Sequence, residues 1–484
     1  MPDHRNRLQG LFSVENRYAN FGNLLMRIKI QGFRCHDLTI IDIENPITAF
    51  CGLNGTGKST LLQLAAAAYS KIDSENRRYY IKDFIVSGIL DPAPFKTDAV
   101  VEYGYWQEER TIKTVYIKRS ESEKRWAGYR SQPQRTVYFA GMGLYLPKIE
   151  IRDFVLRNAS NISVLRTEPL AESSKNWACK ILGCSYDAME NNEVKHNDRK
   201  GEVVTVIRAG NKYSEANMGC GEGRTQHIIR RLQTLPDKSL VLLEEPETSL
   251  HPSAQHEFGK YLIDVCIEKK HQILISTHSE YLLSALPSAS RIYLDRSIVG
   301  LRPIKGITTA QAISLMTEGH DKALHILVED EVAGAVLTEI LRKADYAFLK
   351  SVKIHSTGDT KTIHSVMKAL KDTGLPVAAV RDGDKNDSPA DNIFKLPGGL
   401  APEKELLGSA NVIDFFREKY EFDVPGFSAT MKDIDHHEWF AHLAERISIN
   451  KNALIQQSAE CYVENLSANN RDTITSLLKE SLRK

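Results

Sequence analysis

Gly52-Leu-Asn-Gly-Thr-Gly-Lys58-Ser59 follows a short apolar run, Pro46–Phe50, and leads into the helix-compatible stretch Lys58–Tyr69. It fits G-x-x-x-x-G-K-[ST] at every position. Strand, glycine-rich turn and helix in that order build a phosphate cradle. The glycines let backbone N–H groups wrap phosphate oxygens, and the helix N-terminus adds favourable partial charge. Gly52, Asn54, Gly55, Thr56, Gly57 and Thr60 shape the loop. Lys58 is expected to reach the β- and γ-phosphates and Ser59 to ligate Mg²⁺. ATP or GTP binding is the strongest single implication.

Three later segments extend this reading. Ser239–Glu244 (SLVLLE) is an apolar strand ending in Glu244-Glu245-Pro-Glu-Thr-Ser-Leu-His-Pro. A carboxylate at such a strand end, Glu244, can hold Mg²⁺, and the next, Glu245, can polarise an attacking water. Gln272–Ser276 is another apolar strand and delivers Thr277-His278. His278 either contacts the γ-phosphate or is structural. Ahead of both lies Met218-Gly219-Cys220-Gly221-Glu222-Gly, a glycine-rich turn opening a helix (RTQHIIRRL).

At this point the sequence resembles the ATP-binding cassette ATPases of the SMC-like branch. GLNGTGKST is similar to their P-loop, MGCGE to their signature, LVLLEEPETSLHP to their Walker B with D-loop, and STH to their switch histidine. The early QGFR segment resembles the strand-turn entry of that branch, and the match spans roughly residues 26–295. Three departures stand out. Glu244 replaces the usual aspartate, Gly219 the signature serine, and Cys220 the first signature glycine. The Q-loop glutamine has no counterpart in TVYFAGMG, from Thr136, which occupies its place. The resemblance implies ATP with Mg²⁺, a catalytic pair Glu245 and His278, and a signature acting in trans. It therefore implies a head-to-tail homodimer, or a higher homo-oligomer, with ATP between subunits.

Further on, HILVED, VKIHSTG and VAAVRDGD are strand-like and alternate with helical patterns, which implies a second parallel sheet. His325–Val328 ends in Glu329-Asp330-Glu331, and Val377–Val380 in Arg381-Asp382-Gly383-Asp384. Neighbouring parallel strands place such termini on one rim, where Glu329, Asp382 and Asp384 can converge on Mg²⁺. This half resembles a TOPRIM domain. The tandem resembles the OLD family of ATPase–nucleases found in bacterial anti-phage defence. Asp330 stands where a small glycine is usual, and Ala333 where an acidic residue often follows, with Glu331 a substitute. The segment Pro402-Glu403-Lys404-Glu405 offers further acidic ligands or a lysine. His436-His437 lacks spaced partners and reads as structural.

The expected class is α/β: an ABC/SMC-type P-loop ATPase domain over residues 26–310 with a helical insert at about 150–200, then a TOPRIM-like parallel-sheet domain (322–410) and a helical C-terminal region (411–484). Residues 1–25 read as an extension that packs on a neighbour. Within the insert, ENNEVKHNDRKGEVVTVI is hairpin-like.

Composition excludes more than it identifies. The chain has 484 residues, enough for about three domains. Lys+Arg 63 against Asp+Glu 62 leaves a net charge of +1, which excludes a histone-like cationic protein but not a local basic groove. Seven scattered cysteines make a poor disulfide framework, and Cys179 and Cys184 lack a second pair for zinc. No apolar run approaches the ~20 residues of a membrane span, so a cytoplasmic protein without membrane contact is expected. Lys113, Lys118, Arg119, Lys124, Arg125 and Arg130 interleave with Tyr116, Trp126 and Tyr129, a pattern suited to DNA or RNA or to a plain exposed strand face. Two functions follow from the resemblance: ATP-controlled, Mg²⁺-dependent nucleic-acid cleavage in anti-phage defence, or an ATPase sensor that restrains a separate toxin or nuclease until a phage trigger protein appears.

Overall fold

The computed structural model describes residues 4–72, 77–119, 125–141, 143, 157–297 and 300–482. The chain divides into two compact units, Met1–Thr309 and Ala310–Lys484.

The first unit is built on a six-stranded sheet. Its order is Gly300–Lys305, Arg291–Ser297, Ile47–Cys51, Gln272–Ser276, Leu240–Glu244, Val137–Ala140. All neighbours pair in parallel except the outer Gly300–Lys305 strand. Ile47–Cys51 and Gln272–Ser276 are buried along their whole length, which is why they read as short apolar runs rather than alternating ones. In register, Phe50 lies beside Ser276 and Ser276 beside Glu244. The loops after these three strands therefore open onto one rim.

A five-stranded antiparallel sheet, with Leu25–Phe33 and Phe95–Trp106 inside it, shares a core with the Lys58–Ala66 helix. Ala65, Ala66, Ala67 and Ala68 keep the end of that helix slim, and all four are buried. The Leu64 and Ala65 carbonyls accept from the Ala67 and Ala68 N–H groups at 3.1 Å, and backbone oxygens with no water near them gain from further donors. Two buried tyrosines of Phe95–Trp106 supply donors: Tyr103 to the Leu64 carbonyl at 2.7 Å, and Tyr105 to that of Ala68. The two sheets are also tied by Gln272. Its amide accepts from the Leu25 N–H at 3.0 Å and donates to the Leu25 carbonyl at 2.7 Å, as a strand neighbour would.

Two expectations require correction. Residues 4–21 form the helices His4–Leu11 and Arg17–Phe21, and the first packs on the chain's own Pro252–Lys269 helix, with His4 Nδ1 3.1 Å from Asp264 Oδ1. The apolar Leu8 and Phe21 are fully buried, so this segment completes the unit's own core. The insert is mainly sheet: Ser163–Pro169, Ala188–His196, Arg199–Arg208 and Asn211–Ser214 pair antiparallel, with one helix, Glu172–Leu182. Residues 150–156 of the expected insert lie outside the described residues. Amide and hydroxyl side chains that look loop- or helix-like in sequence bond across strands instead. Thr167 donates to Asn192 Oδ1 at 2.8 Å, and Asn192 Nδ2 donates to Thr205 at 2.9 Å. The hairpin reading of 190–207 agrees with the pairing of Ala188–His196 and Arg199–Arg208.

His271, just before the Gln272–Ser276 strand, makes a pH-dependent contribution to stability. It is fully buried, its Nδ1 accepts from the Ser239 N–H at 3.2 Å, and its Nε2 lies 3.0 Å from the Leu232 carbonyl. That pattern fixes the neutral Nε2–H tautomer. Burial pulls its pKa from the ordinary 6.5 down to about 4. A histidine whose folded pKa is depressed contributes fully above pH 6.5 and progressively less as pH falls toward 4. About 3 kcal/mol should be lost across that window. Urea denaturation at pH 7, 5.5 and 4.5 should show a steeper decline in the wild type than in His271→Gln; parallel declines would remove His271 as the cause.

The second unit contains a four-stranded parallel sheet in the order Val352–Ser356, Leu324–Val328, Val377–Arg381, Ile393–Lys395. The amphipathic helix Glu331–Ala344 covers it and packs in turn on Lys451–Asn465 and Ala468–Ser481. Residues 410–481 are largely helical. Among the described residues no helix is long and apolar enough to cross a membrane, and none of the cysteines forms a disulfide.

Candidate functional site

The loop after Ile47–Cys51 takes backbone conformations that only glycine tolerates well. Gly52 (φ 146°) passes so close to the Leu294 strand that a Cβ would lie 2.7 Å from its carbonyl oxygen. Gly57 (φ 77°) is the left-handed N-cap of the Lys58–Ala66 helix, and a Cβ there would collide with His36 and Cys35. His36 is fully buried, with Nδ1 3.1 Å from Thr39 Oγ1 and Nε2 3.2 Å from the Gly57 carbonyl. It braces the loop from the turn after QGFR. Arg34 donates to Thr60 Oγ1 at 3.2 Å, and Thr56 Oγ1 donates to the Leu53 carbonyl at 2.8 Å. The buried Lys58 amine donates to the Gly52 and Leu53 carbonyls, both at 2.9 Å. Its curl over the loop puts a cation where phosphate oxygens would lie. Asn54 is exposed at the loop tip, and Ser59 lies in the first helical turn, part-exposed. Donor set and backbone shape fit a nucleotide phosphate with Mg²⁺.

Glu244 ends its strand two strands away, in register with Ser276. Glu245 follows in a left-handed conformation (φ 43°), with its N–H bonded to the Ser276 carbonyl at 3.0 Å. Such strain costs of order 1–3 kcal/mol and persists where surrounding structure imposes it. The Glu245 carboxylate lies 3.7 Å from His278 Nε2. Burial, then the nearby Lys58 charge, lower the His278 pKa, while Glu245 opposes them. Burial also lowers the pKa of Lys58, again opposed by Glu245. The structure thus groups Lys58, Glu245 and His278 on one rim.

Glu247 was not singled out in the sequence. It is buried and accepts from Thr277 Oγ1 at 2.5 Å and from the His278 N–H at 3.1 Å, locking the histidine turn to the carboxylate turn. Burial raises its pKa.

The signature-like turn precedes the helix Cys220–Thr234, whose N-cap is Gly219. A Cβ on Gly221 would sit 2.5 Å from the Ser249 carbonyl oxygen. Ser249 Oγ is 3.4 Å from Cys220 Sγ, and Arg224 donates to the Thr248 carbonyl. Glu222 accepts from Tyr186 at 2.7 Å and Tyr213 at 2.8 Å, hydroxyls of the insert. The strand of TVYFAGMG, Val137–Ala140, lies beside Leu240–Glu244, and a Cβ on Gly141 would be 3.5 Å from Glu244 Oε2. Met142 and residues 144–150 lie outside the described residues.

In the second unit, Glu329 and Asp382 follow adjacent parallel strands, Leu324–Val328 and Val377–Arg381. Asp382 is buried, and its pKa rises to about 7 through burial and then the charges of Glu329, Asp330, Glu403 and Asp384. Burial also raises that of Glu329. Glu329 Oε1 and Asp382 Oδ1 are buried with no hydrogen-bond partner. Orphaned oxygens at neighbouring strand ends are a donor set that fits Mg²⁺. Asp384 is exposed at the margin and lies 3.4 Å from Lys385.

Asp330 is the N-cap of Glu331–Ala344, and its Oδ1 accepts from Val332 and Ala333 at 2.9 and 2.8 Å. Glu331 turns away to pair with Lys451 and does not join the cluster. The added carboxylate is Glu403, buried, with Oε2 lacking a hydrogen-bond partner; burial and then Asp330 raise its pKa to about 7. Lys404 is exposed, and Glu405 instead holds the glycine turn by accepting from the Gly399 and Leu400 N–H groups at 2.8 and 3.1 Å. His437 Nδ1 lies 3.2 Å from both Glu403 Oε1 and Asp330 Oδ2, so the histidine pair does have partners.

In the basic–aromatic segment Trp126 and Tyr129 pack inward, while Lys113, Lys118, Arg125 and Arg130 are exposed. Trp126 stacks on Phe33 at 5.4 Å, and the Tyr129 hydroxyl accepts from the Ile81 N–H at 3.1 Å. Tyr116 stays exposed, with the Lys118 amine 5.3 Å from its ring. Lys124 lies outside the described residues.

Residues 27–155 match the family model of an AAA domain, and residues 159–283 that of an AAA ATPase domain. No curated protein matches the sequence. Similar solved structures include an SMC head domain from Thermotoga maritima, 13% identical, covering 58% of this chain and 98% of that one with a TM-score of 0.35. Another is an Smc head domain with an extended coiled coil bound to the C-terminal domain of ScpA derived from Pyrococcus furiosus, 12% identical, covering 61% and 99%, with a TM-score of 0.38. A third, the SmcHead bound to the C-winged helix domain of ScpA, is 13% identical and covers 58% and 96%, again with a TM-score of 0.38. Both family matches fall within the first unit, the 27–155 match contains the phosphate loop, and together they identify an ATPase domain there.

Proposed function

We propose that this protein is an ATP-hydrolysing switch of the cassette type that controls Mg²⁺-dependent cleavage of nucleic acid by its second unit. The observation that carries the cleavage reading is the pair Glu329 and Asp382, adjacent at parallel strand ends, each with a buried oxygen that nothing hydrogen-bonds. Mg²⁺ there would supply charge stabilisation for phosphodiester transfer. Glu329 and Asp382 would hold it, with Asp384 at the margin. In the first unit, residues 52–60 would cradle ATP, Lys58 would neutralise the β- and γ-phosphates, and Ser59 and Glu244 would hold the nucleotide's Mg²⁺. Glu245 would orient and polarise water, and His278 would face the γ-phosphate.

This reading divides the chain into a cassette ATPase domain (26–310), a TOPRIM-like domain (322–410) and a helical C-terminal region (411–484). Gly219 is exposed at the start of a fifteen-residue helix, and Gly219–Glu222 would complete a nucleotide site on a second copy. A head-to-tail homodimer closing on ATP follows, and a larger homo-oligomer is compatible with it. The resemblance to OLD-type proteins supports a role for such a switch in anti-phage defence, with a phage protein as trigger.

One observation favours a second reading. Asp330 and His437 lie against the carboxylate cluster where a bare glycine would leave it open. In this alternative the second unit restrains a separate toxin or nuclease, and ATP turnover releases it. Incubation of the full chain with plasmid DNA or RNA, in Mg²⁺ or Mn²⁺, with and without ATP, separates the two. Nicking or degradation supports the nuclease. Intact substrate under every condition, from protein that hydrolyses ATP, supports restraint.

A further inference from the structure

We propose that Glu403, His436 and His437 form a binding site for a divalent transition metal of the zinc class, distinct in ligand chemistry from the all-carboxylate pair Glu329 and Asp382. One ligand atom from each of the three lies within 4.8 Å of the others. Glu403 is 1% exposed, and its Oε2 has no hydrogen-bond partner. A desolvated carboxylate with one idle oxygen is a costly arrangement unless a cation or donor completes it. Asp330 Oδ2, 3.2 Å from His437 Nδ1, is in reach as a fourth ligand, while its other oxygen caps the helix.

Local structure presents these groups together. Glu403 lies in the first turn of the Pro402–Gly408 helix. The two histidines open a short 3-10 turn, His436–Glu438, held by Asp435 Oδ1, which accepts from the His437 N–H at 3.2 Å. Trp439 pins its far end by donating to the Ile434 carbonyl at 3.1 Å. The imidazole rings lie 4.2 Å apart. His436 is part-exposed and His437 exposed, so small χ rotations can draw their nitrogens to the ~2.0–2.1 Å of a zinc–imidazole bond.

Ligand type selects the metal. Mg²⁺ prefers oxygen ligands and keeps several waters, whereas imidazole suits Zn²⁺, Fe²⁺ and Ni²⁺. Two histidines and one carboxylate match the ligand count of reactive zinc sites, with the fourth position falling to water or to Asp330 Oδ2. The inference concerns binding alone and does not rest on cleavage by the second unit, so the two can fail separately.

The test strips the full-length protein with EDTA and titrates it with Zn²⁺ in millimolar Mg²⁺, which occupies the oxygen-only sites. One tightly held Zn²⁺ per chain is expected, counted by mass spectrometry after dialysis. The His436→Ala/His437→Ala variant should bind it more than about a hundredfold more weakly. Unchanged circular dichroism and ATP binding would show that this variant is folded; should it misfold, His436→Ala alone gives the same readout. Absence of saturable Zn²⁺ binding by the wild type overturns the proposal. So does binding that survives the histidine changes, which would place the metal on cysteines or elsewhere.

Discussion

Glu245→Gln is expected to leave ATP binding intact and to slow hydrolysis by about 10²–10⁴-fold, the range attributed to a positioned general base. The amide keeps the length and shape of the carboxylate, so the strained backbone at φ 43° and its hydrogen bond to Ser276 should survive. What disappears is the negative charge between Lys58 and His278. That charge opposes the burial that lowers both pKa values. Its removal should push both further down, making the site less able to hold a cationic lysine when ATP is absent. Bound ATP should then persist, and a homodimer closed by ATP should accumulate. Fluorescent-nucleotide binding, phosphate release and light scattering check the three outcomes together. Turnover at the wild-type rate would remove Glu245 from the catalytic role, whatever happens to assembly.

Asp382→Asn should divide stability from activity in opposite directions. The wild-type carboxylate is buried among Glu329, Asp330, Glu403 and Asp384, and its pKa stands near 7. A carboxyl whose folded pKa is raised opposes folding increasingly as pH climbs from its ordinary 3.8 to 7. Removing the charge should therefore raise the melting temperature of the metal-free protein at pH 8. Cleavage, if the Mg²⁺ site is used, should fall about a thousandfold, corresponding to the several kcal/mol of charge stabilisation a divalent ion supplies. A merely structural aspartate would not give that split. Higher stability with undiminished cleavage would place the nuclease site elsewhere.

The parts of this molecule legible in sequence are those whose chemistry is contiguous. A phosphate loop must supply its own amides, lysine and hydroxyl within one turn, so residues 52–59 announce it. Buried parallel strands such as Ile47–Cys51 and Gln272–Ser276 announce themselves as apolar runs between turn residues. The braces do not. His36 reaches Gly57 from 21 residues away, and Gln272 mimics a strand beside Leu25 across 247 residues. No local pattern encodes either partnership.

The insert misled for a related reason. The polar residues Thr167, Asn192 and Thr205 satisfy one another across strands, a pairing that no period-based reading of short segments registers. The carboxylate rim was half legible: Glu329 and Asp382 follow recognisable strands. Glu403 falls in the Pro402–Glu405 segment that offers further acidic ligands, whereas His437, 34 residues further on, carries no local signal of meeting it.

The tyrosine clamp on the Lys58–Ala66 helix makes that helix a strut loaded at both ends. Its first turn meets whatever charge the phosphate loop holds, while from the antiparallel sheet Tyr103 grips the Leu64 carbonyl of its last turn and Tyr105 the Ala68 carbonyl just past its end. Four consecutive buried alanines, Ala65–Ala68, let the helix end and the turn after it lie close against the neighbouring core. Phosphate loop and antiparallel sheet are thus joined through a single helix, so a change in charge at one end bears on backbone that the tyrosines of the sheet hold at the other.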